Sequence, residues 1–296
     1  MIYYKFIDSW KAYFGVRYSC VKLGVPVSSY EKWCNRGRVK HQERLEDIER
    51  QAGLVKRVFD DSRSTYGCRR IQVMLEQQKV FFSLKKIRRL MRYKNLVSHM
   101  ETRQRKKMVT TISDSGNVYP LDLVRRHFLA DTPDKIYYGD ITYLPFGYNK
   151  NMFLATVIDA HSKAVIGYKL DDNMRASLVT DALEQAIRMK NTSVSDPIIF
   201  HSDRGSQYRS NMFIELCETN NIKLSTGKTG ICYDNAAAES FFSTLKIECP
   251  ELGKRHMLNP TKIRVIVDEY INFYNNERLH STGGYTTPQQ KTLKAA

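Results

Sequence analysis

The rhythm of apolar residues changes once along the chain, near residue 119. Before that point it is helical. Residues 18–23 read as a short helix, Gly24-Val25-Pro26 as a turn, and residues 28–36 as a second helix carrying Tyr30 and Trp33, which together make a helix-turn-helix unit within residues 1–40. A second helical, helix-turn-helix-like unit is expected over residues 41–97. Leu45, Ile48, Leu54, Val55 and Val58 recur at helical spacing across residues 43–59, another helix opens at residues 66–71, and Ser83 is placed to cap residues 84–93. On that last helix Leu84, Ile87, Leu90 and Met91 share one face, and Lys85, Lys86, Arg88, Arg89 and Arg92 surround the other. Beyond residue 119, strand signals recur at residues 135–146, 152–160 and 164–170, the last two joined by the turn His161-Ser162-Lys163. An amphipathic helix over 178–189, a buried strand at 198–200, a helix at 211–220, a short strand at 222–225 and closing helices at 236–247 and 261–275 complete the pattern. Three antiparallel strands followed by helix, strand, helix and strand describe an α/β domain over residues 119–296, with a mixed sheet and helices on both sides. Several α/β folds share that order.

Charge sharpens the contrast between the two parts. The net charge is +16, and residues 1–110 hold 26 Lys and Arg against 10 Asp and Glu, whereas the remainder holds 21 of each. All the excess positive charge therefore lies in the first third, the footprint of a polyanion binder, with a merely solvated basic face as the alternative. In a helix-turn-helix the exposed basic helix enters the major groove, which makes Lys85, Lys86, Arg88, Arg89 and Arg92, with Arg69 and Arg70, candidate contacts to double-stranded DNA. A plain helical bundle with a solubilising lysine face competes with that reading. Residues 98–118 carry Arg103, Arg105, Lys106 and Lys107 ahead of a Thr, Ser and Gly run without apolar periodicity, and read as a basic linker, either laid along DNA or a spacer.

Composition bounds the rest. A hydrophobic content of 42% over 296 residues supports real cores in more than one domain. No apolar stretch approaches the roughly 18–20 residues of a membrane span, and MIYYKFIDSWK lacks a signal peptide's apolar core, so a cytoplasmic protein without a membrane partner is expected. Cys20, Cys34, Cys68, Cys217, Cys232 and Cys249 form no CxxC pair and are read as reduced thiols.

Three acids stand in three kinds of local structure. Asp140 lies mid-strand in YYGDITYL, Asp203 at a strand end in IIFHSDRGSQY, and Glu239 on a helix in DNAAAESFFSTLK, 36 positions later, with Asp234 or Asn235 available as N-cap. Acids converging from two strands and a helix hold two magnesium ions about 3.5–4 Å apart, the clamp used for in-line attack on phosphodiesters, and all-oxygen ligation suits magnesium. Taken singly, each would be an ordinary surface acid. Asp159 and Asp234 compete as ligands, although a turn aspartate and an N-cap explain them without metal. Thr226-Gly227-Lys228-Thr229 imitates the end of a P-loop, but Ile222 stands where its first glycine is required, so no nucleotide is expected there.

The strings DITYL, FHSDRGSQY, CYDNAAAESFFSTLKIE and YNNERLHSTGGYTTPQQ resemble the second-frame transposases of the insertion-sequence-three family, within the DDE transposase and retroviral integrase superfamily, over roughly residues 13–290. The match departs at Thr282-Gly283-Gly284-Tyr285, where the family usually has Leu-Gly before the tyrosine. The resemblance implies a ribonuclease H-like mixed-sheet catalytic domain behind an all-α helix-turn-helix region. It also implies a catalytic, metal-binding triad of Asp140, Asp203 and Glu239, and a DNA-contacting base at Lys246, seven positions past the glutamate and on the same helix face. Two magnesium ions, replaceable by manganese, are the implied cofactor. Terminal repeats and target DNA are the implied substrates, and a homo-oligomer on paired ends in the bacterial cytoplasm, associated with the nucleoid, is the implied assembly. The expected activity is DNA cleavage and strand transfer at the ends of an insertion sequence. A hydrolytic nuclease of the same fold and a non-catalytic DNA-binding regulator remain the alternatives. His201, Arg204, Gln207 and Asn235 are candidates to position DNA, with a packed role favoured for His201. The segment Tyr274–His280 is expected to brace either the fold or a partner subunit.

Overall fold

The computed structural model describes residues 2–100, 119–125, 129–190, 196–227 and 236–295. Most of the linker at 98–118, and Asp234 and Asn235 with their expected cap, lie outside the described residues. Five helices come first: α1 (Ile2–Phe14), α2 (Val16–Lys22), α3 (Val27–Asp61), α4 (Cys68–Gln77) and α5 (Leu84–Tyr93). The mixed part follows as β1 (Ile136–Phe146), β2 (Lys150–Asp159), β3 (Val165–Asp171), α6 (Ala176–Arg188), β4 (Ile198–Ser202), α7 (Asn211–Thr219), β5 (Ile222–Thr226), α8 (Ala236–Glu248), α9 (Pro260–Asn276) and α10 (Pro288–Ala295).

Three elements differ from the sequence pattern. The two helices expected over 28–36 and 43–59 are one, α3, which runs through the boundary drawn at residue 40. The interval between them holds Gly37 but no proline, and a single glycine costs a helix about 1 kcal/mol without ending it. Helix α1 has no counterpart in the apolar pattern, because its aromatic residues surround it and only Ile7 is buried. Helix α10 rests on a signal outside that pattern: Thr287 Oγ1 accepts from Gln290 N at 3.1 Å and Gln290 Oε1 accepts from Thr287 N at 3.1 Å, a capping box with Pro288 at the first helical position.

The sheet order is β3-β2-β1-β4-β5. Strands β1, β2 and β3 pair antiparallel, and β4 pairs parallel to both β1 and β5. Because side chains alternate along a strand, β1 feeds two cores. Tyr138 and Leu144 pack with Phe241, Phe242 and Leu245 of α8 and Val267 and Tyr270 of α9, while Tyr137 packs with α6 and α7 on the other face. Helices α3, α4 and α5 close a third core around Val55, Ile71, Ile87 and Leu90, and α1 and α2 meet the start of α3 in a small fourth one around Ile7, Cys20 and Tyr30.

The helical and mixed parts are joined by the segment after α9. Leu279 and Tyr285 pack into the third core. The Tyr66 hydroxyl donates to Glu277 O at 2.9 Å and accepts from Leu279 N at 2.8 Å. Beneath it, Arg278 forks onto Glu248 of α8 at 2.7 and 2.8 Å, and Tyr270 donates to the same carboxylate at 2.9 Å. Asn275 holds the backbone of Val165 with both amide atoms. This polar segment therefore braces the fold.

Candidate active site

Parallel pairing puts the two aspartates side by side. Tyr138 of β1 is opposite His201 of β4, and two residues further along each chain stand Asp140 and Asp203. Here the sheet changes from antiparallel to parallel pairing, at the carboxyl end of β4, where open α/β sheets form their ligand crevice. The residue before Asp140 has to be glycine: a Cβ on Gly139 would lie 2.2 Å from the Phe200 ring of β4, which crosses it. Past β4, Gly205 N donates to Asp203 Oδ1 at 3.0 Å and turns the chain, leaving Asp203 exposed. Asp140 Oδ1 accepts from Ile141 N at 2.8 Å.

Asp140 shares a face of β1 with Thr142 and Leu144, the face that α8 covers. Lys246, on the last turn of α8, donates from Nζ to Thr142 Oγ1 at 2.7 Å and stands 5.0 Å from the centre of the Tyr143 ring. Thr142 escapes the sequence reading, though its place two residues past Asp140 is an available signal. Glu239 lies one turn into the same helix and is exposed.

The charges interact. Burial, then the negative charge of Asp203, and with them that of Glu239, push the Asp140 carboxyl up to about 8. Partial desolvation raises Glu239 as well, exposed though its side chain is. Burial lowers Lys246, against the pull of Asp140. Like charges crowded onto oxygen-only donors are what a divalent cation relieves by displacing the proton, and on that criterion the acids fit a metal. Among the described residues, however, no three His, Cys, Asp or Glu side chains converge closely enough to hold an ion. Glu239 is thus coupled to Asp140 by charge rather than by contact.

The other sequence candidates divide into packed and exposed groups. His201 is 1% exposed, bonded through Nδ1 to Ser225 Oγ at 2.9 Å and edge-on to Tyr138, a packed residue. Arg204 donates to Gly227 O and stacks 4.2 Å from the centre of the Tyr119 ring, and Gln207 donates to Met174 O. Asp159 accepts from the amide and hydroxyl of Ser162, as a turn aspartate does. On α5, Ser83 caps by accepting from Lys86 N, and Lys85, Arg88, Arg89 and Arg92 are exposed. Lys86 lies 4.0 Å from the centre of the Phe82 ring. Arg69 is exposed, whereas Arg70 is half-buried with its guanidinium 5.5 Å from the centre of the Tyr66 ring.

Two family models described as integrase core domains match residues 130–232 and 220–288, and an HTH-like domain matches residues 45–106. The chain is 32% identical over 288 residues to the transposase InsF for insertion sequence IS3A of Escherichia coli strain K12, covering 97% of each. It is 29% identical to the transposase for insertion sequence element IS629 of Shigella sonnei, covering 96% of this chain and 93% of that one. Among solved structures it matches the catalytic core of an HTLV-2 integrase at 19% identity and a TM-score of 0.41, over 55% of this chain and 98% of that one. The integrase core models and the transposase relatives make this a DDE-type polynucleotidyl transferase with a ribonuclease H-like core, a class dependent on a divalent metal. The chain belongs to the insertion-sequence-three family of transposases. Among the described residues no helix is long and apolar enough to cross a membrane.

Proposed function

We propose that the protein cuts the ends of an insertion sequence and joins the freed 3′ ends to DNA, with Asp140, Asp203 and Glu239 as its catalytic carboxylates. The observation that carries this reading is that Asp140 and Asp203 each follow by two residues the paired Tyr138 and His201 of adjacent parallel strands, with the Asp140 carboxyl raised by burial and then by the charges of Asp203 and Glu239. These acids would hold divalent cations, read as two magnesium ions with manganese able to replace them. Bound there, the ions supply an activated hydroxyl and neutralise charge at the phosphoryl and leaving oxygens. Lys246, anchored at Thr142, provides a cation beside Asp140 for a phosphate of the terminal DNA. Lys85, Lys86, Arg88, Arg89 and Arg92 present a basic face to the duplex, with Arg69 beside them. Arg70, half-buried on Tyr66, joins that set at its edge. The divisions at residues 97 and 118 separate the DNA-gripping part from the catalytic part, the boundary at residue 40 falling inside α3. Action on two paired ends calls for a homo-oligomer, and genomic DNA as substrate places the protein on the nucleoid in the cytoplasm.

Substituting Asp140, Asp203 or Glu239 by alanine abolishes cleavage and joining of end-bearing duplexes and leaves binding within about twofold, since affinity resides in phosphate contacts. Ordinary strand transfer by any one of the three variants would remove that residue from the site. Undiminished turnover in excess chelator would remove the metal.

A further inference from the structure

The aromatic residues that surround α1 divide between two sides. Tyr4 and Ile7 turn inward, to the core with Cys20, Tyr30 and Trp33. Ile2, Tyr3, Phe6, Trp10, Tyr13 and Phe14 do not, and each is between 44% and 82% exposed. At about 100° per residue these six fall within an arc about 120° wide, and Lys5, Asp8 and Lys11 lie outside it. Asp8 is engaged on its own side, accepting from Lys11 Nζ at 2.8 Å and from the Tyr30 hydroxyl at 2.9 Å. Trp10 gathers the outward rings, with the centroids of Phe6, Tyr13 and Phe14 at 6.3, 5.8 and 6.1 Å from its own. An aromatic side chain offers about 150–250 Å², so at these exposures the stripe leaves roughly 600 Å² of apolar surface in water on each copy. The largest apolar patch on a typical monomer is about 300–600 Å².

The core beneath α1 is also small for the unit it holds. Among the described residues its buried apolar side chains are Ile7, Cys20 and Tyr30, and the unit ends with the first turns of α3. Units of fewer than about 40 residues usually need a disulfide, a metal or a second chain to hold their fold. Cys20 and Cys34 are free thiols, and among the described residues no cluster of His, Cys, Asp or Glu is able to hold an ion. That leaves a second chain. We propose that the outward stripe of α1 packs against the same stripe of a second copy of this protein, completing the small core from outside. An apolar helix stripe is complementary to itself, as a two-fold contact requires. Paired, the two faces bury roughly 1,200 Å², the area at which specific interfaces begin. Trp and Tyr are the residue types that dominate the energetics of such contacts. DNA is a poor occupant, because the stripe offers no cation to a phosphate. The proposal deepens the homo-oligomer reading above by giving it a contact surface, and makes no use of the catalytic one.

The test is sedimentation equilibrium of the full chain without DNA, at concentrations up to about 100 μM and in salt sufficient to screen its charge of +16. The parent is expected to reach twice the mass of one chain. Phe6→Glu with Trp10→Glu puts two charges at the middle of the stripe and raises the dissociation constant at least about a hundredfold. Its far-ultraviolet circular dichroism stays that of the parent, because both side chains are half exposed. Tyr13→Glu, at the most exposed ring of α1, raises the constant about tenfold and keeps the test alive should the double variant fail to fold. Mixing the double-glutamate chain with one carrying Phe6→Lys and Trp10→Lys restores a dimer with one copy of each, as contact between the two stripes requires. A parent that stays monomeric, glutamate variants that dimerise with the parent's affinity, or opposite-charge chains that fail to pair would each overturn the proposal. In the second case the homo-oligomer stands and only its contact surface moves. Cleavage surviving in Asp140→Ala would strike the catalytic reading and leave this result untouched.

Discussion

Replacing Arg278 by methionine should cost about 3–5 kcal/mol of stability, the range for breaking a buried ion pair from one side. Its guanidinium and the Glu248 carboxylate have side chains 6% and 0% exposed and meet at 2.7 and 2.8 Å in a two-pronged contact. In Arg278→Met the carboxylate keeps one donor, the Tyr270 hydroxyl at 2.9 Å, and remains out of reach of water. Replacing both residues removes both charges from the interior, and well-packed apolar substitutes for a buried pair are often neutral or better. Glu248→Met with Arg278→Met is therefore expected within about 1 kcal/mol of the parent, far above either single variant. At roughly 2–4 °C per kcal/mol, the single variant's thermal midpoint falls by some 6–20 °C. Equilibrium urea unfolding is best followed by far-ultraviolet circular dichroism. The chain's two tryptophans, Trp10 in α1 and Trp33 in α3, would report on the wrong part. High salt should leave the difference in place, since a pair closed to solvent is little screened. A cost below about 1 kcal/mol for Arg278→Met, or additive losses in the double variant, would refute the reasoning.

Two glycines are expected to respond in opposite directions: Gly167→Ala, whose Cβ would meet Ala182 O at 2.1 Å, costs about 1–3 kcal/mol. Gly53→Ala, in α3 with open space around it, gains about 1 kcal/mol in the same unfolding measurement. Burial, with the nearby charges of Arg278 and Arg70, lowers His280 to about 3. The unfolded chain then binds the extra proton between about pH 6.5 and 3, so this residue's contribution is complete above pH 6.5 and declines as pH falls through that window. His280→Asn should flatten that slope of stability against pH, and an unchanged slope would contradict it. Removing Lys85, Lys86, Arg88, Arg89 and Arg92 together should reduce the salt dependence of DNA affinity by about 0.9 in slope for each phosphate no longer neutralised. Titration at several salt concentrations reads this directly, and a variant with full affinity and slope would make α5 purely structural.

Legible in the chain is whatever repeats along it. Strands of period two and helices of period 3.6 announce every element from β1 to α9 to within a few residues. The outward charges of α5 follow from its inward Ile87, Leu90 and Met91. Pairings between distant positions are invisible. Nothing in a sequence couples Arg278 to Glu248, thirty positions apart, or Tyr66 to the backbone at Leu279. The same holds at the candidate site. The acids are apparent from their local settings and from the family resemblance, but a cleft beside Asp203 is assembled from Pro120, β5 and the turn after β4. Only the folded chain brings those together. Helices α1 and α10 escape for different reasons, the first for want of one clear apolar face and the second because its signal is a short capping box rather than a repeat.

The unbroken course of α3 carries a geometric consequence. Its first turns belong to the small core with Tyr30, Trp33 and Cys34, and its last turns, from Ile48 onward, to the core with Ala52, Val55 and Val58. The 35 residues make a rod about 52 Å long, comparable to about 15 base steps of DNA. Each residue of such a rod sets distance and direction together, about 1.5 Å of reach and about 100° of rotation. One residue inserted between Cys34 and Ile48 would therefore barely lengthen the arm yet swing the N-terminal cluster to another side of the axis. About seven would restore its facing, two turns on and roughly 10 Å further out. The helix thus fixes phase as strictly as spacing, and a lengthened arm works only when both return together.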